Sequence, residues 1–81
     1  MTAIESTEFV DYQHALAARG DAAHRLFEAE LALHDAHQTH IAEWIRAAGD
    51  RLHDAVERHM TAEERVRRLD LAACAALAPA S

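Results

Sequence analysis

Residues 21–48, DAAHRLFEAELALHDAHQTHIAEWIRAA, leave this chain few folds to choose from. Wound as an α-helix at about 100° per residue, Ala23, Leu26, Phe27, Glu30, His34, His37, Ile41, Trp44, Ile45 and Ala48 share one wedge about 100° wide. Asp21, Arg25, Glu28, Asp35, Glu43 and Arg46 fall on the other side. An apolar stripe this long must be covered by another element. Glu30, His34 and His37 interrupt it, forming a polar knot where a core should be apolar.

The stripe extends upstream. Phe9, Tyr12 and Leu16 keep the same phase through Gly20, which predicts one helix over about 7–48 despite the roughly 1 kcal/mol that an interior glycine costs. Gly49-Asp50 is the clearest punctuation, with glycine suited to a left-handed helix end and aspartate to the next N-cap. From there Leu52, Val56, His59, Glu63, Val66, Asp70, Ala73 and Leu77 alternate four and three, a heptad pattern. Thr61-Ala-Glu-Glu64 has capping-box spacing, but the heptad continues through it. A second helix over about 50–77 is therefore expected, ended by Pro79. Residues 1–6 and 79–81 are expected to fray.

The expected fold is all-α: one domain over residues 1–81, an antiparallel helical hairpin turning at Gly49. Abundant alanine and the scarcity of glycine and proline agree with it. A chain of 81 residues is marginal as a lone core, and Cys74, the single cysteine, rules out a disulfide within one copy. The arms would be unequal, at about 60 Å and 42 Å, leaving Phe9, Tyr12 and Leu16 overhanging. With Leu26, Phe27, Ile41, Trp44 and Ile45 they form the expected interface. A homodimer or larger assembly, two hairpins making a four-helix bundle, would cover it. A second protein could fill the same role.

Folded about Gly49, the arms bring His59 and Glu63 to the level of the knot. Glu30, His34, His37, His59 and Glu63 are thus the candidate metal ligands, since imidazole with carboxylate suits zinc, iron, manganese or nickel. The alternative is a buried hydrogen-bond network that fixes register. In architecture and ligand type the arrangement resembles the ferritin-like di-iron bundles. It has Glu30-x3-His34-x2-His37 in place of their Glu-x-x-His, so the resemblance implies no activity.

Charge narrows the partners. The net charge is −6, with three arginines against nine acids in residues 1–50 and five against five in 51–81. That balance argues against nucleic acid and anionic membranes. Arg65, Arg67 and Arg68 form the one basic cluster, flanked by Glu63, Glu64 and Asp70, and read as a solvated helix face. The longest apolar run, 71–80, is far short of the ~20 residues a membrane span needs. A lone thiol and no visible secretory signal fit a reducing cytoplasm. Serine occurs only at 6 and 81, Cys74 has no histidine near it in sequence, and no glycine-rich phosphate loop exists. The reading is a small non-catalytic protein that self-associates through helix faces, with a metal-binding, iron-handling bundle as the alternative.

Overall fold

The computed structural model describes residues 3–77, with side chains described over 9–75. Two helices, α1 (Ala3–Thr39) and α2 (Ala42–Leu77), pack antiparallel as an all-α hairpin. Both run unbroken through the positions where a break was weighed, Gly20 and Thr61. Residues 3–6, expected to fray, are helical; 1–2 and 79–81, Pro79 included, lie outside the described residues.

The turn is not at Gly49-Asp50. It lies nine residues earlier, at His40-Ile41, and Gly49 is an interior residue of α2. The arms are therefore nearly equal, at 37 and 36 residues, and the expected overhang disappears. His40 takes the left-handed conformation, φ 58°, and its N–H donates to the His37 carbonyl at 3.3 Å. The Thr39 hydroxyl donates to the Ala36 carbonyl at 2.6 Å and accepts from the Ile41 N–H at 3.2 Å, closing the link. The Ile41 carbonyl then accepts from Trp44 and Ile45, at 3.1 and 3.0 Å, and starts α2.

A left-handed histidine costs about 1–2 kcal/mol where glycine would be free, so something larger must hold the turn here. That something is an alanine seam. Ala15, Ala22, Ala29 and Ala36, spaced by seven, are buried along α1, and Ala48 and Ala55 along α2. Tyr12, Leu26 and Leu33 alternate with them on α1; on α2 the alternating set is Ile45, Leu52, His59 and buried Val66, with Ala62 and Leu69 completing the seam. A turn at His40-Ile41 sets the buried alanines of each arm level with larger seam residues of the other over their whole length, Ala29 with Leu52 and Ala55 with Leu26 among them. A turn at Gly49 would leave Ala15 beyond the end of the second arm.

The seam explains where the expected stripe was displaced. On α1 the buried positions 22, 29 and 36 precede 23, 30 and 37 by one residue, about 100° of rotation. On α2, Leu52, His59 and Val66 do face the seam, but their companions are 55, 62 and 69 rather than Val56, Glu63 and Asp70. The result is a single layer, 61 × 25 × 13 Å in its Cα trace, with a radius of gyration of 18.3 Å. A compact chain of this length would have one of about 12 Å.

Candidate interaction surfaces

The new turn also separates the five candidate ligands. The Asp70 carboxylate is close enough to Tyr12 to raise its titration, so facing residues sum to about 82, whereas a turn at Gly49 would pair His37 with Thr61. His59 now lies level with Ala23, about 16 Å along the axis from His34. Glu30, His34 and His37 stay together on an exposed side of α1. His59 is half-buried in the seam, its Nε2 3.4 Å from Glu63 Oε1, which is the i, i+4 partnership a bland local network supplies. Among the described residues no three His, Cys, Asp or Glu side chains come together as a metal site requires.

The expected interface residues divide by what covers them. Tyr12, Leu26 and Ile45 are half-buried in the seam between the two helices. Ile41 and Trp44, expected as buried anchors at the closed end, are 40% and 57% exposed. Phe9 and Phe27 are 64% and 58% exposed, and Leu16 is half-buried beside them. In heptad geometry Phe9 and Leu16 directly flank the seam and Phe27 stands one step outside. The matching positions of α2 hold Val56 and Met60, both exposed. Antiparallel pairing puts these flanks on the same side of the layer, so one broad surface carries Phe9, Leu16, Phe27, Val56 and Met60. Glu30, His34, His37 and Glu63 share it. Val56, a member of the expected core heptad, is thus exposed. The signal that corrects it is the row of alanines seven apart, which carries little weight when only large apolar residues are counted.

Comparison with protein-family models, curated proteins and solved structures finds no match. The reading therefore rests on the two surfaces themselves.

The opposite side of the layer is a shallow channel between the helices, floored by alanines of the seam and walled by charge. Asp21, Glu28 and Asp35 repeat every seven residues along the α1 wall. Arg51, Arg58 and Arg65 repeat every seven along the α2 wall. Arg25, Asp54 and Glu57 also line it, so its total charge is close to balanced and it offers no site for a polyanion. Arg58 reaches Asp54 at 3.8 Å and Glu28 meets His24 at 2.5 Å. Among the described residues Arg25, Arg51, Arg65, Asp21 and Asp35 make no ion pair. Trp44, the one tryptophan, closes the channel at the turn end.

One titration is displaced. The Asp70 carboxylate, accepting the Tyr12 hydrogen bond, holds the phenol above its ordinary value of 10.0, with partial burial and the Asp70 charge acting in the same direction. No described helix is long and apolar enough to cross a membrane.

Proposed function

We propose that this chain is a self-associating helical interaction module, non-catalytic, whose apolar face pairs with that of a second copy to make a four-helix bundle. The observation that carries this is area. The hairpin exposes 6548 Å², against about 4,850 Å² for a compact monomer of its mass, an excess of about 1,700 Å². Among the described residues, four of the nine exposed large apolar side chains, Phe9, Phe27, Val56 and Met60, share one side with half-buried Leu16 between them, which is what an association surface looks like. Phe27, Val56 and Met60 sit near the middle of the layer, where an interface has its dry centre. A layer 13 Å thick has no interior in which to enclose a substrate, and that favours binding over catalysis.

Light scattering coupled to size exclusion tests this. At micromolar concentration the mass should be at least twice 9.0 kDa. Phe27→Asp with Met60→Asp should reduce it, with helicity retained. A wild-type chain that elutes as a fully helical monomer in high salt rules the proposal out.

A further inference from the structure

We infer that the charged channel is a second self-association surface, docking on the same channel of another copy with α1 over the partner's α2. The inference goes beyond the proposed pairing of apolar faces and uses the opposite side of the layer.

Area supplies the first reason. A standard interface covers about 800 Å² per partner, so one such contact removes only half of the excess surface and a second removes the rest. Charge supplies the second and names the occupant. The acids at 21, 28 and 35 and the arginines at 51, 58 and 65 have the same period. Take a twofold axis parallel to the helices, with both turns at the same end. One uniform slide then sets Asp35 by the partner's Arg51, Glu28 by the partner's Arg58 and Asp21 by the partner's Arg65. The slide from the register of the hairpin, where facing residues sum to about 82, is four residues, about 6 Å, within the reach of an arginine. On the other flank the same slide acts in the opposite sense and brings Asp21 within one residue of the level of the partner's Arg58, and Glu28 within one residue of the level of the partner's Arg51, so five contacts form together.

The competing twofold, across the helices, lays α1 on the partner's α1. The acid row at 21, 28 and 35 then lies over the same row of the partner, and the arginine row at 51, 58 and 65 over its own, with Arg25 and Asp54 to relieve them, which is less favourable. The charges therefore select one orientation. The alanine floor has no large side chain to hold the copies apart. Because the two faces lie on opposite sides and each pairs with its own kind about axes along the helices, the assembly does not close at the dimer and grows as a stack.

Salt separates the two contacts. In about 0.01 M salt the screening length is about 30 Å, and in about 1 M it is about 3 Å. The wild-type chain should scatter as a species larger than a dimer in low salt and as the dimer in high salt. Trp44, at the end of the channel, should shift its emission to the blue as the larger species forms. Asp21→Arg with Glu28→Arg and Asp35→Arg should stop at the dimer in both conditions, as should Arg51→Glu with Arg58→Glu and Arg65→Glu. Mixing these two variants should regain the larger species and the Trp44 shift, and all six changes in one chain should restore it alone. A wild-type mass and Trp44 emission that do not respond to salt overturn the inference and leave the apolar dimer standing. So does a mixture that stays dimeric. With Phe27→Asp and Met60→Asp the channel alone should give dimers in low salt and monomers in high salt. A wild-type chain doing the same would refute the apolar pairing instead.

Discussion

Gly49→Ala tests the placement of the turn, because its sign depends on it. In the structure Gly49 is inside α2 and no glycine has positive φ. A Cβ added there would meet nothing within 4 Å, so the packing cost is nil and the helical gain is left. Alanine is more favourable than glycine in a helix interior by about 0.8–1.0 kcal/mol. For a domain of this size that raises the melting temperature by about 4–8 °C. Gly20→Ala has the same surroundings, an interior position with no atom within 4 Å of the new Cβ, and should gain the same. The two sites lie about 21 Å apart along the hairpin, so the double variant should gain about 2 kcal/mol, the sum of the two. Urea unfolding followed by far-ultraviolet circular dichroism, at one fixed chain concentration, measures all three, and the slope with urea should not change. If Gly49 instead occupied a left-handed turn, alanine would cost about 1–2 kcal/mol. A loss at Gly49 beside a gain at Gly20 would therefore refute the placement of the turn at His40-Ile41.

Two further outcomes follow from the seam and its outer end. Ala29→Leu should destabilise the hairpin by about 1–3 kcal/mol through overpacking, whereas a surface alanine would change by less than about 0.5 kcal/mol; thermal melting beside Ala17→Leu on the exposed outer edge of α1 makes the comparison. The raised Tyr12 titration means that the neutral phenol is favoured in the folded state. Its contribution is therefore fully present below the ordinary value of 10.0 and is lost as pH rises through the higher folded value. Following the phenolate absorbance of this single tyrosine should show a midpoint that Asp70→Asn lowers; an unmoved midpoint would mean the hydrogen bond does not hold.

The helical nature of the chain and its hairpin form could be read from the stripe and from the heptad running from Leu52. The continuity of α1 through Gly20 could be read because Phe9, Tyr12 and Leu16 kept phase across it. The turn could not, because local chemistry at Gly49-Asp50 outweighs anything visible at His40-Ile41. Neither glycine nor a strong N-cap marks the true turn, and its position is set by the sum of alanine contacts along the two arms. The same cause moved the stripe by one residue. Alanine contributes little to a hydrophobic pattern, yet rows of it allow two backbones to approach closely, and on both arms one of the two seam positions is mostly alanine. Large residues such as Phe27 and Met60 then remain outside, where the strongest part of the pattern drew attention to them. The grouping of Glu30, His34 and His37 was legible because it lies within one helix. Their meeting with His59 and Glu63 depended on the turn and moved with it.

Joining two nearly equal arms by a two-residue link has a consequence for how the chain orders itself in time. Residues beside His40-Ile41 meet after closing only a few peptide units, and every later layer of the seam adds next to one already formed. The entropy of closing a long loop is thus never met in one step. Because each layer touches only the layers above and below it, the hairpin behaves as a one-dimensional zipper in the manner of a repeat array. Opening proceeds in reverse from the end that holds Ala3 and Leu77. Amide hydrogens should accordingly exchange in a gradient along both helices, slowest near Leu33 and Ala48 and fastest toward the open end.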